Sequence, residues 1–450
     1  MLMMLAATAS AFCGFYVGGA DAELYNDATL TVLMRDGSKT VLSMQNTYQG
    51  PPEDFALVVP VPQVLKKENV KTLPREVFAR VDRLASPRLV EYWERDPCDP
   101  YKPDEKLMET MQFSRARPTA VRSGRADRLG VKIEAQFQVG EYDVVILSAK
   151  DSSGLETWLQ QEDYNIPEGA SAALRPYVES GTKFFVAKVD PERVTFEKDR
   201  AVLSPLRVHY DSESFSLPIR LGLLNSQGEQ DLLVHILGRD KRYEVANYEN
   251  VTIPTNLRVT DAVRDDFGAF YESLFAHTVA QNRNAVVTEY SWQSGKCDPC
   301  PGPTLSSNDI ATLGGDLLGN TSPMSWTLTR LHYRYGKGSV DEDLVFKRVE
   351  PLIGGRGTPD REGQLVEQTQ TASTNQFQGR YAILHEWEGP LKCESPQRGI
   401  WGGPDGADDP PPPKQTGDSL AARETRTLQL EKVLRDPLPG LGSSTIPEVK

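Results

Sequence analysis

Residues 290–307 read YSWQSGKCDPCPGPTLSS and set two of the chain's five cysteines, Cys297 and Cys300, around an Asp-Pro pair. Two thiols at that spacing suit a redox centre, half of a metal clip or a structural bridge. Thioredoxin-type chemistry needs the first cysteine at a helix N-terminus, where the macrodipole favours the thiolate. Pro301-Gly302-Pro303 cannot carry a helix forward, and Asp298 between the thiols disfavours a thiolate further. A zinc site takes about four ligands, typically from two spaced pairs. Here Cys13, Cys98 and Cys393 are scattered, with no histidine near them in sequence.

Structural disulfides are therefore the leading reading for Cys98, Cys297, Cys300 and Cys393, with Cys13 left over as the odd, N-terminal thiol. Cys98 lies in RDPCDPY, a proline-flanked setting like that of the 297/300 pair, and the preferred connectivity joins Cys98 or Cys393 to one member of that pair. Each such bridge closes a long loop and adds roughly 3 to 5 kcal/mol in the chain-entropy model. A redox pair at Cys297 and Cys300 is the alternative. No catalytic residue, metal site or cofactor is expected, because the Gly-x-Ser-x-Gly, His-Glu-x-x-His, phosphate-loop and calcium-loop patterns are missing. His209, His235, His277, His332 and His385 each fall within a strand or helix without a partner motif. Tyr290, Trp292, Trp326, Tyr333 and Tyr335 fit a core better than a binding surface.

The elements that must position these residues read as α+β. Two β-branched runs between Glu23 and Gly50 flank Arg35–Lys39 as a hairpin turn, and FALVVPVP (55–62) is a strand leaving a sheet edge. LPREVFARVDRLASPRLVEYW (73–93) has helical spacing broken at Pro87, which predicts two helices. Beyond the basic stretch 113–130, read as a solvated loop, two strands, two short helices and a strand follow up to Asp190. From Leu203 the texture is strand and turn, an antiparallel sheet, interrupted by a helix over 261–281 with Asp261 as its cap and Val263, Phe267, Phe270, Tyr271 and Leu274 on its apolar face. Further strands are expected at VVTEYSW, SWTLTRLHYRY, DLVFKRV and GRYAILHEW.

A chain of 450 residues suggests two or three domains at roughly 100 to 200 residues each. The expectation is two β-rich lobes of mostly antiparallel sheet with a few packed helices, 12–190 and 191–400, followed by a largely disordered proline-rich tail over 401–450. Residues 1–11 end in Ala9-Ser10-Ala11 and read as a signal peptide, short and without a basic start. A net charge of −13 opposes nonspecific nucleic-acid binding, and no apolar run is long enough for a transmembrane helix in the mature chain.

The pieces FCGFYV, ADAEL, FALVVPVP, NVTIPTNLRV, CDPCPGP, LTRLHYRYGK, EDLVF and GRYAILHEW together resemble the bacterial family called domain of unknown function 2330. That resemblance runs from Phe12 to about Trp401 and implies an exported protein; some members that it resembles carry a C-terminal membrane anchor, without a counterpart here. It supplies no catalytic or ligand residue. The expected function is a noncatalytic, disulfide-stapled binding or structural protein of the periplasm or extracellular space, its partner a protein or an envelope polymer. The alternatives are a thiol-disulfide oxidoreductase working through Cys297 and Cys300, and a hydrolase whose site is assembled from distant residues.

Overall fold

A computed structural model describes residues 15–17, 25–49, 56–98, 131–162, 169–197, 200–225, 228–366, 368–404, 414–415 and 428–435. The expected signal peptide, Cys13, the basic loop 113–130 and most of the tail lie outside the described residues.

In chain order the strands and helices are β1 (Phe15–Val17), β2 (Tyr25–Asp36), β3 (Lys39–Gln49), β4 (Ala56–Val61), β5 (Val70–Thr72), α1 (Glu76–Ala85), β6 (Arg88–Glu94), β7 (Val131–Val139), β8 (Tyr142–Ala149), α2 (Ser152–Gln161), α3 (Ala170–Glu179) and β9 (Lys183–Val189). Next come β10 (Thr195–Glu197), β11 (Arg200–Val202), β12 (Leu206–Asp211), β13 (Ser216–Leu217), β14 (Gln230–Arg239), β15 (Arg242–Val245), β16 (Asn250–Thr252), β17 (Leu257–Arg258) and α4 (Phe267–Gln281). The chain continues through β18 (Val286–Gln293), α5 (Ser307–Ile310), β19 (Trp326–Tyr335), β20 (Leu344–Val349), β21 (Leu352–Gly354), β22 (Gln370–Thr371), β23 (Gln376–Gln378), β24 (Arg380–His385), β25 (Trp401–Gly402), β26 (Lys414–Gln415) and α6 (Leu430–Val433).

An 11-stranded sheet runs β22-β21-β23-β18-β19-β14-β2-β3-β12-β5, with β16 against β18. Strands from both sides of residue 190 share it, since the β2–β3 hairpin sits between β14 and β12. That hairpin turns through Gly37 at φ +57°, a backbone that a two-residue turn requires and glycine adopts without strain. One face of the sheet packs Leu33, Leu42, Val234 and Ile236 against the second sheet, β1-β4-β9-β8-β7, whose far face carries α2 and α3. The other face carries α1 and α4. Most pairings are antiparallel, but β2–β14, β16–β18, β17–β24, β21–β23 and β6–β24 are parallel. This is a β-rich α+β architecture.

Two expected elements change. The 73–93 region forms α1 and then, past Pro87, strand β6 rather than a second helix, because β6 lies between β24 and the β25/β26 edge and buries both of its faces. Helix α4 begins at Phe267, and Asp261 opens a separate 3-10 turn (Asp261–Val263), so it does not cap the helix. The apolar face does hold, with Val263, Phe267, Phe270, Tyr271 and Leu274 in one buried cluster. The five aromatic residues Tyr290, Trp292, Trp326, Tyr333 and Tyr335 are all buried. Of the expected tail, β25, β26 and α6 are packed pieces, and Val433 is buried beside α4.

Under α1 and α4 the big sheet carries a row of charges. On β19, Arg330, His332 and Arg334 alternate onto one face, opposite His235 and Asp231 of β14. A β-bulge between Thr288 and Tyr290 turns Glu289 onto the same face. Glu289, fully buried, accepts from Arg330 Nε (2.6 Å), His332 Nδ1 (2.7 Å) and the Tyr271 hydroxyl of α4 (2.5 Å). Arg330 also donates to Asp82 of α1, while Asp231 takes a paired contact from Arg334, at 2.8 Å to each oxygen. His332 stacks on Phe275 with ring centroids 3.6 Å apart, and its Nε2 lies 3.3 Å from Asp231.

Burial pushes the Glu289 carboxyl up, but His332 and Arg330 outweigh it and hold it below the ordinary range. Burial likewise lowers His332, and Glu289 with Asp231 more than reverse this. Burial and Arg330 hold His235 down at about 3. The His332 contribution to stability is complete below its unfolded pKa of about 6.5 and is lost as pH rises through its folded value. His235 acts in the opposite sense, since the unfolded chain takes up a proton as pH falls below about 6.5. Glu289 contributes above its unfolded pKa of about 4.3, and that contribution is lost as pH falls through its folded value.

Stability is therefore expected to peak near neutral pH. Urea midpoints measured from pH 4 to 9 should fall on both sides, with a shallower acid limb in a His235→Gln variant between pH ~6.5 and ~4.5. Glu289→Ala takes one of two carboxylate partners from each of the buried Arg330 and His332, and the acceptor from Tyr271, and should cost about 3 to 5 kcal/mol, whereas Glu289→Leu with Arg330→Met should cost less than the single change.

Candidate ligand cleft

Strands β6 and β24 run parallel in the middle of the sheet β17-β24-β6-β25, with Glu91 beside Ile383 and Trp93 beside His385. Alternation sends Leu89, Tyr381 and Ile383 into the apolar cluster beneath α4. Further along the same face the row turns polar with Glu91, Trp93 and His385. His385 stacks on Trp93, centroids 4.5 Å apart, and its Nε2 lies 2.9 Å from Glu91. Arg264, ahead of α4, donates to Glu91 at 3.0 and 2.8 Å. Burial raises the Glu91 carboxyl, but the hydrogen bonds from Arg264 and His385 outweigh it and hold it below its ordinary value.

These strand ends open into a cleft of about 920 Å³ lined by Trp93, Arg258, Asp261, Trp387, Glu388 and Arg435, among others. One wall is the segment that follows β24. Glu94, buried at the end of β6, accepts from the amides of Trp387 (3.0 Å) and Gly399 (2.8 Å) and from Arg398 (2.8 Å). Burial raises this carboxyl too, and those donors bring it below its usual range. Gly389 lies directly against the Trp387 indole, where a Cβ would come within 2.5 Å of the ring. Arg95 and Gln397 add backbone bonds to Ile400 and Pro97.

The same wall carries the Cys98–Cys393 pair, at disulfide distance with Cα atoms 5.5 Å apart. Cys297 and Cys300 pair with each other, Cα atoms 4.9 Å apart. This corrects the expected connectivity between the two groups, and the topology gives the reason. Parallel β6 and β24 leave their sheet at the same end, so the residues after each strand meet, and Cys98 reaches Cys393. The 297–300 loop contacts Arg88 and Gln378 at the opposite end of these strands, roughly 20 Å away along β6. Helix α5 begins only at Ser307, so Cys297 has no helix N-terminus behind it.

The histidines separate into different settings. His235 and His332 belong to the buried charge row, His209 Nε2 lies 3.0 Å from Asn69 Nδ2, and His277 is half-buried on α4. Only His385 reaches the cleft. The sequence reading missed Trp93, Glu94, Arg258 and Trp387 as neighbours. One signal was available for the buried row, namely basic residues at every second position of RLHYR within an otherwise apolar strand.

A family model described as an uncharacterised protein conserved in bacteria, DUF2330, matches residues 7–347. The chain belongs to this family. The matched residues include β6, Arg258 and Asp261 of the cleft and stop within β20, ahead of β24 and the wall it leads into. No curated protein and no solved structure matches the chain.

Removing the Glu94 carboxylate should release its wall. In Glu94→Ala, hydrogen exchange at the Trp387 and Gly399 amides is expected to accelerate by about tenfold or more while the β7–β8 amides keep their rates, as read by exchange mass spectrometry.

Proposed function

We propose that this family member is an exported, noncatalytic binding protein of the cell envelope or extracellular space, and that its ligand seats in the cleft at the ends of β6 and β24. The observation that carries this reading is how the cleft is built. Indoles of Trp93 and Trp387 stand among both signs of charge, on walls fixed by Glu94 and the Cys98–Cys393 bridge. His385, the histidine that lines the cleft, is committed to Glu91 behind it, which also takes Arg264, and this suits holding a shape rather than moving protons. Aromatic faces beside mixed charge fit a polar organic ligand that carries both signs, such as a peptide or the peptide-bearing part of an envelope polymer. Export is supported by the Ala9-Ser10-Ala11 triplet, and an acidic chain of net charge −13 suits neither nucleic acid nor an anionic membrane surface.

One observation favours a second reading. Cys297 and Cys300 pair within a single loop, as oxidoreductase cysteines do. Against a catalytic role, the loop lacks the helix that would favour a thiolate at Cys297.

Calorimetric titration of the full chain with soluble peptidoglycan fragments and short zwitterionic peptides tests the binding reading. Saturable binding is expected, weakened about tenfold or more by Trp387→Ala at an unchanged melting temperature. Absence of binding to every probe, or binding indifferent to Trp387→Ala, counts against the cleft. N-terminal sequencing of protein recovered from the culture medium or periplasm should begin at Phe12; an intact Met1 in the cytosol would sink the export proposal.

A further inference from the structure

We infer that the Cys297–Cys300 bridge is a site of thiol–disulfide exchange with an external thiol, and that its redox state sets how firmly the bases of the two cleft strands are held. Cys300 is exposed, while Cys297 is half-buried and packs against the cluster beneath α1. An incoming thiol therefore meets Cys300 first.

The loop between them does more than join two cysteines. The Pro299 carbonyl accepts from Arg88 Nη1 at 2.6 Å, and the Asp298 carbonyl accepts from Gln378 Nε2. Arg88 is the first residue of β6 and is fully buried; its other terminal nitrogen donates to the Leu84 carbonyl, and its guanidinium lies over the Tyr290 ring, 5.5 Å from the centroid. Gln378, also fully buried, ends β23 just ahead of β24, and the Arg88 amide donates to the Gly379 carbonyl. The bridge thus presents two backbone acceptors to buried donors at the starts of β6 and β24, the strands whose far ends carry Trp93 and His385. A buried guanidinium cannot replace a lost carbonyl with bulk water, so loosening this loop loosens the strand starts.

The thiolate of an external thiol attacks Cys300 Sγ, the bond to Cys297 breaks, and Cys297 leaves as a thiolate that takes up a proton. A second external thiol attacks the mixed disulfide, releasing the Cys300 thiol. Two external thiols are oxidised to one disulfide, and their two electrons reduce the bridge. This assignment stands whether or not the cleft holds a ligand.

The full chain is equilibrated across a series of reduced-to-oxidised glutathione ratios, quenched with acid, alkylated and mapped by mass spectrometry. The 297–300 bridge is expected to open and close within the series. A 297–300 bridge that stays closed at every ratio overturns the exchange site. In the Cys297→Ser/Cys300→Ser variant, with Cys98–Cys393 intact, the amides of 89–94 and 381–385 should exchange about tenfold faster or more, with those of β7 and β8 unchanged. Unchanged rates at 89–94 and 381–385 overturn the coupling. If that variant fails to fold, the same exchange measurement on the unmodified chain, held at a glutathione ratio that opens the bridge, decides the point.

Discussion

Glu289 accepts from a strand arginine, a strand histidine and a helix tyrosine, out of reach of water, and the packing of four elements follows from that requirement. A buried carboxylate with an unmade bond is costly, so β19 and α4 must hold their donors against the acceptor on β18, and α1 must bring Asp82 to the far side of Arg330. An apolar core tolerates sliding by a fraction of a residue. A row of charges at fixed spacing does not, and the bulge beside Glu289 has only one register in which its carboxylate meets Arg330 and His332 together.

The cleft inherits its position from this arrangement. Helix α4 is fixed by Tyr271 on the charge row and covers the apolar half of the β6–β24 face, leaving the polar half uncovered. Arg264, placed just before α4, then reaches Glu91 at the boundary between the two halves. The boundary between core and cleft on these strands is thus the point where the helix begins.

Much of the fold was legible in the sequence because its signals are local. The Arg35–Lys39 turn, the β7–β8 pair, α2 and α3 each rest on turn chemistry or periodicity within a dozen or so residues. Strand β6 was not legible. Arg88–Glu94 buries apolar residues on both faces, which erases the alternation of a half-exposed strand, and Leu89, Val90 and Trp93 also satisfy helical spacing. The cleft was hidden for a different reason. Trp93, Arg258 and His385 are brought together by parallel pairing of distant strands, and no spacing along the chain records which strands become neighbours. For the cysteines, the proline-rich setting pointed to bridging, but which thiols meet is settled by the shared direction of β6 and β24.

The β2–β3 hairpin, central in the largest sheet, has a history written into its neighbours. Its two edges are taken by β14 and β12, which lie far downstream in the chain. As the polypeptide emerges from the ribosome, residues 25–49 precede both neighbours, and a hairpin formed there keeps both rows of backbone amides and carbonyls open until residues 206–211 and 230–239 arrive. A nascent chain stalled in that interval carries two sticky borders and no partner of its own for either, which makes the early product a natural client for a chaperone that shields strand edges.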